Sequence, residues 1–186
     1  MRTILVVFMS VLTAMSVGAS EIGDDGLHKP AWLQDTFKDM SDDLADATAD
    51  GKRLLIIFEQ KGCIYCKKMH DEVFPHPEIE ALIEDHFYVV QMDLFGGVDV
   101  TDFDGTELTE AQMAKRWGVY FTPTMMFMPE TVEDGQTAAQ AAVITMPGAF
   151  GRITTQALLE WVRDKGYDGD EHFQKYVAKR VSELAQ

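Results

Sequence analysis

Cysteine is scarce in this chain, positive charge is outnumbered, and no apolar run is long. Two cysteines in 186 residues leave no material for a framework of disulfide staples, and without a second pair a structural zinc site is disfavoured. The two stand three positions apart, at Cys63 and Cys66. A bond between them closes one helical turn and constrains the unfolded chain little, so the pair is better explained by reactivity. Lys67 follows Cys66, so the Cys-x-x-Cys-His pattern of haem attachment is absent. Sixteen Lys and Arg face 31 Asp and Glu, a formal net charge of −15, which argues against nucleic acid or an anionic membrane as partner. The longest apolar stretch, Ile4 to Met15, falls short of the roughly 18–20 residues that span a bilayer. Internal repeats and low-complexity segments are also missing.

That short stretch fits another use. Arg2 is the only charge in residues 1–20, and Val17-Gly18-Ala19 places small residues before Ser20-Glu21. Charged start, apolar middle and small-residue end make a secretory signal, so 1–20 is expected to be removed near Ala19/Ser20 and the remainder exported. No cysteine stands near the cut to carry a lipid. Removal would leave 15 basic and 31 acidic residues, a net charge of −16. Residues 21–29 are polar with two glycines and are expected to be a flexible N-terminus.

What is present is organised around Leu54-Leu55-Ile56-Ile57-Phe58, an apolar run that reads as a buried parallel strand. A polar turn with Gly62 follows, and Cys63-Ile64-Tyr65-Cys66 opens a helix. Unpaired N–H groups and the positive dipole end at a helix start stabilise a thiolate, so a cysteine there is more acidic than a free thiol at about 8.5. Cys63 is the expected exposed nucleophile and Cys66, one turn further in, the resolving thiol.

Around this centre, spacings of three and four from Pro30 through Leu33, Phe37, Met40, Leu44 and Ala47 predict a helix stopping at Asp50-Gly51. The motif helix should run to Val73 and break at Pro75, with a second piece over 78–85. A strand is expected over 86–93, and a long Gly- and Asp-rich loop over 94–107. Thr109-Glu110-Ala111-Gln112 has capping-box form and opens a helix closed by Gly118. Strands over 120–128 and 142–146 and helices over 154–165 and 170–184 complete the reading.

The order helix, strand, Cys-x-x-Cys helix, strand, helix, proline-containing strand, strand, helix resembles the thioredoxin superfamily. Phe121-Thr122-Pro123-Thr124 opens the later strand, as in that family. The resemblance implies an α/β thioredoxin-like fold, a central mixed sheet flanked by helices, over 30–167. An extra N-terminal helix and a C-terminal helical extension over 168–186 would be added to it. It also implies that Pro123 is a cis-proline lying against the dithiol, and that the backbone of Thr122 pairs with a bound substrate. A narrower likeness is carried by Phe58-Glu59-Gln60-Lys61-Gly62 with the motif and Lys67-Lys68-Met69-His70. Phe87-Tyr88-Val89-Val90-Gln91, Val100-Thr101-Asp102-Phe103-Asp104-Gly105 and Trp117-Gly118-Val119-Tyr120-Phe121-Thr122-Pro123-Thr124 extend it. These resemble SoxW-type exported thioredoxin-like proteins of bacterial sulfur-oxidation clusters. That implies a periplasmic monomer with no cofactor beyond the Cys63–Cys66 disulfide, acting on protein thiols and disulfides. A membrane thiol transporter would supply its electrons.

Departures leave some roles open. Ile57 stands where an acid is usual six residues before the first cysteine. Glu59, on the same strand face, is the candidate proton acceptor for Cys66. Tyr65 and Trp117 are candidate apolar rim residues at the dithiol, with a core role equally open for Trp117. His70 fits either a third ligand for Cu(I) or Zn(II), giving a copper-binding protein, or an exposed or capping helical histidine. Met125, Met126 and Met128 fit copper or, more simply, core filling. Lys67 and Lys68 can lower the Cys63 pKa or simply meet solvent. Asp99, Asp102 and Asp104 fail the alternation of a calcium loop at Val100 and read as solvated. The direction of the reaction, reduction against disulfide formation or isomerisation, depends on redox potential.

Overall fold

A computed structural model describes residues 21–184. The expected signal segment and the last two residues of the chain lie outside the described residues. In chain order the elements are β1 Glu21–Ile22, β2 His28–Lys29, β3 Leu33–Gln34, α1 Met40–Ala49, β4 Arg53–Glu59 and α2 Ile64–Lys68. A π-helical segment Met69–Val73 then leads to α3 Pro77–His86, β5 Phe87–Asp93, β6 Asp99–Thr101, β7 Glu107–Thr109 and α4 Glu110–Arg116. The chain continues with β8 Thr124–Phe127, α5 Ala138–Ala141, β9 Ile144–Pro147, α6 Arg152–Arg163, a 3-10 turn Gly166–Asp168 and α7 Phe173–Leu184.

The central sheet has the order β3-β5-β4-β8-β9. β3, β5 and β4 run parallel, β8 is antiparallel to β4, and β9, antiparallel to β8, returns to the direction of the first three. A parallel β4–β5 pair needs a crossover, and that crossover carries the cysteines. Six of the seven residues of β4 are buried because helices cover both faces. Leu54, Ile56 and Phe58 pack on one side with Met40, Ala47, Met113 and Trp117 from α1 and the α4 end. Leu55 and Ile57 pack on the other with Met69, Val73, Ile79, Leu158 and Val162. Met125, Met126 and Met128 are all core, split between these two layers.

Four local expectations are corrected. Residues 21–29 are not a loose end: β1 and β2 pair antiparallel, and Leu27 between them is buried. The first helix begins at Met40, ten residues after Pro30, because Asp39 caps it by accepting from Ser41 N–H at 2.9 Å and Asp42 N–H at 3.2 Å. Leu33, read as part of that helix, instead pairs with the β5 edge, and Phe37 is fully exposed. The loop over 94–107 contains the β6–β7 hairpin, whose turn carries Gly105 at φ 80°. The proline-containing strand starts only at Thr124, directly after Pro123, since proline offers no ladder N–H.

Within that hairpin region Asp102 is buried, not solvated. Its carboxylate accepts from Trp117 Nε1 at 2.7 Å and from the Phe103 and Ala138 amides at 2.8 Å each. Trp117 also meets Phe58 edge-on at 5.9 Å, so it belongs to the core and not to the rim. At the other end of the fold, α7 packs on α6. Phe173 sits 5.6 Å from Trp161 between ring centroids, and Arg180 pairs with Glu160 at 3.0 Å.

Asp43 on α1 carries a stability cost that depends on pH. Burial pushes its carboxyl from the ordinary 3.8 up to about 6, Asp39, Asp46 and Asp42 add to the rise, and the Thr36 hydroxyl offsets part of it. A raised carboxyl pKa means that the folded state holds the proton more tightly, so stability falls as pH rises from about 4 to about 6. Two units correspond to about 3 kcal/mol, and losing a first-turn acid costs back about 0.5 kcal/mol. Asp43→Asn is therefore expected to stabilise the protein by about 2 kcal/mol at pH 7.5 and by little at pH 4. Urea denaturation at the two pH values measures this, and an equal effect at both would refute it.

Candidate active site

The site is built where β4 ends. Gln60, Lys61 and Gly62 turn the chain, with Gly62 at φ 73°, a conformation that glycine takes without steric cost. Cys63 is then the N-cap of α2, and its Sγ accepts from Cys66 N–H at 3.0 Å. The two sulfurs are joined in a disulfide. Their environments differ in the expected sense: Cys63 is half-buried, while Cys66 is 1% exposed. One sulfur can be reached by a partner and the other only by its neighbour.

The Thr122–Pro123 peptide is cis, and the adjacent Thr122 Oγ1 donates to Cys63 Sγ at 3.2 Å. Sequence reasoning gave Thr122 a backbone role; the structure adds this side-chain donor. Together with the Cys66 amide, two donors point at one sulfur, and hydrogen bonds to the charged form favour a thiolate. Lys67 is paired with Asp71 one turn on, so its charge is largely met locally.

Around Cys63 the surface is apolar. Ile64, Tyr65, Tyr120 and Phe121 are each more than half exposed although large and hydrophobic. Tyr65 was legible as rim; Ile64, Tyr120 and Phe121 were missed, although all flank the two motifs in the sequence. Large apolar side chains left exposed beside a reactive sulfur suit contact with a partner.

Beneath the dithiol lies a buried polar chain. Glu59 is 1% and His70 2% exposed, and His70 Nε2 lies 2.8 Å from Glu59 Oε1. Gln91 Nε2 donates to Glu59 Oε2 at 2.6 Å and to the His28 carbonyl at 2.8 Å. Lys29 Nζ donates to Gln91 Oε1 at 2.7 Å and pairs with Asp25 at 2.6 Å. His70, read from sequence as exposed, capping or metal-ligating, is none of the first two. Cys66, Met69, His70 and Val73 share one buried helical face, which is the signal that could have placed it. Its Nε2 is engaged by Glu59, and among the described residues no group of three or more His, Cys, Asp and Glu is arranged to hold a metal ion.

A family model described as a thioredoxin-like domain matches residues 40–146. A thioredoxin-fold protein from Helicobacter pylori is similar over 72% of this chain and 86% of its own, with a TM-score of 0.58 at 16% identity. A thioredoxin from Thermus thermophilus is similar over 69% of this chain and 86% of its own, with a TM-score of 0.52 at 25% identity. No curated protein matches the sequence.

Proposed function

This chain belongs to the thioredoxin-like domain family and is a thiol–disulfide oxidoreductase, and we propose that it serves in the periplasm as a reductase of protein disulfides. The observation that carries this reading is the unequal pair: an accessible Cys63 with two hydrogen-bond donors on its sulfur, bonded to a buried Cys66. In the reduced protein, the Cys63 thiolate attacks a substrate disulfide, forming a mixed disulfide and releasing one substrate thiolate. Cys66 then attacks Cys63, the second substrate thiolate leaves, and two electrons have passed to the substrate. Pro123 shapes the groove, Thr122 aligns the substrate strand, and Tyr65 with its apolar neighbours meets the partner surface. The buried Glu59 carboxylate serves the proton transfer that Cys66 needs before it can attack.

Periplasmic placement is supported by the secretory pattern of residues 1–20. The partners are protein disulfides there, with the SoxW-like stretches favouring thiols of a sulfur-oxidation system. A membrane thiol transporter restores the dithiol, no cofactor beyond the Cys63–Cys66 pair is used, and the chain acts as a monomer. Equilibration with glutathione followed by thiol trapping tests the direction. A reduction potential near about −270 mV is expected of a reductase, whereas one near about −120 mV would make it a disulfide donor.

A further inference from the structure

The polar chain beneath the dithiol fixes more than packing. A lysine ammonium can only donate, so the 2.7 Å contact from Lys29 identifies the Gln91 atom that it meets as the carbonyl oxygen. The Gln91 amide nitrogen then faces Glu59 Oε2 and the His28 carbonyl, and both of its hydrogens are used. Glu59 accepts on Oε2 from Gln91, and as a carboxylate it also accepts on Oε1, where His70 Nε2 sits. A neutral His70 therefore carries its hydrogen on Nε2. The other ring nitrogen, Nδ1, is left as the basic one.

The ring is also held in place. His28 stacks on it at 4.2 Å and 12°, Trp32 lies nearly parallel at 6.1 Å and 7°, and Phe74 meets it edge-on at 5.1 Å. His70 follows Cys66 by four residues, one helical turn, and both are buried, with His70 bonded to Glu59 of β4. Its backbone belongs to a π-helical segment, a local departure from α-geometry common at functional sites. The charged and titratable groups around it are Glu59 from β4, His28 and Lys29 from β2, and Lys67 and Asp71 from its own helix.

We propose that His70, oriented by Glu59, is the base that takes the Cys66 proton. This rests on the reductase reading above and refines its proton step: the imidazole receives the proton, and the Glu59 carboxylate stabilises the imidazolium. In the mixed disulfide, the Cys66 S–H proton passes to His70 Nδ1 and the Cys66 thiolate attacks Cys63 Sγ. The Cys63–Cys66 bond forms, the bond from Cys63 to the substrate sulfur breaks, and the substrate leaves as a thiolate. His70 gives up its proton to that thiolate or to water. The arrangement follows the logic of an imidazole held in one tautomer by a carboxylate.

The aromatic disulfide 5,5′-dithiobis(2-nitrobenzoate) separates the steps in one trace. The reduced protein releases a first thionitrobenzoate when Cys63 attacks and a second when Cys66 resolves the adduct. In the unaltered protein, the rate of the second release is expected to show an inflection with pH that belongs to an imidazole. In His70→Gln the ratio of second to first rate falls about a hundredfold and that inflection disappears. In Glu59→Gln the ratio falls about tenfold, within the range for outer-shell partners, and the inflection survives. Nitrogen-15 NMR of the unaltered protein should find neutral His70 protonated on Nε2. A His70→Gln ratio within twofold of the parent, an inflection-free profile in the unaltered protein, or an Nδ1–H tautomer would each overturn the assignment. Absence of the first release would overturn the reading of Cys63 as nucleophile instead.

Discussion

Cys66→Ser is expected to accumulate mixed disulfides with its substrates, and Cys63→Ser to accumulate none. The asymmetry follows from burial. A protein disulfide is a bulky electrophile, and in-line attack needs a sulfur at the surface, which only Cys63 presents. Cys66 cannot be reached from outside, yet it lies within bonding distance of its neighbour. Removing it therefore leaves the first step intact and blocks the second, so the adduct persists. Removing Cys63 deletes the nucleophile, and a serine hydroxyl in its place is not ionised near neutral pH, so no adduct forms. Turnover in either variant is expected to fall by more than about a thousandfold, as when one member of a unit acting together is lost. Non-reducing electrophoresis after incubation with a disulfide-containing protein distinguishes the two. Covalent adducts with Cys63→Ser would reverse the assignment of roles.

Asp102→Ala is expected to cost about 3–5 kcal/mol of stability, lowering the melting temperature by about 10 °C. The carboxylate is the common acceptor for three elements: the hairpin turn through Phe103, the end of α4 through Trp117, and the start of α5 through Ala138. Alanine strands an indole N–H and a backbone N–H in the core, each costing about 1–3 kcal/mol when unpaired. Asp102→Asn should cost less, since Oδ1 continues to accept from both amides, while the indole and the Arg116 guanidinium 3.7 Å from Oδ2 meet the wrong group. Calorimetry on the two variants tests this. Equal and small losses would mean that solvent enters and replaces the carboxylate.

Much of the fold and of the site is legible in the sequence, because the signals are local. Six buried residues in β4 and the chemistry of Cys-x-x-Cys are written in consecutive letters. The capping box at Thr109 and Gln112 forms as its spacing states. What could not be read depends on distant pairing. Phe37 and Leu33 continue a helical spacing, but the β5 edge takes Leu33 into the sheet and Asp39 supplies a stronger start. Asp102 looks like any loop acid until Trp117 and Ala138, 15 and 36 residues on, are brought to it. Glu59 was placed on the right face by strand alternation, whereas His70 was underrated because a lone histidine has no meaning until its carboxylate is known.

The N-terminal hairpin bears on where this protein begins as a physical object. Similarity to the family starts at residue 40, but contacts with the buried polar chain start earlier. A fragment cut at that boundary would deprive Gln91 Oε1 of its lysine, strip the His70 ring of its His28 and Trp32 neighbours and leave β5 as a bare, apolar outer strand. Such a strand is an invitation to self-association. The family match thus omits the residues from 21 to 39, and those residues pack against the floor of the redox centre.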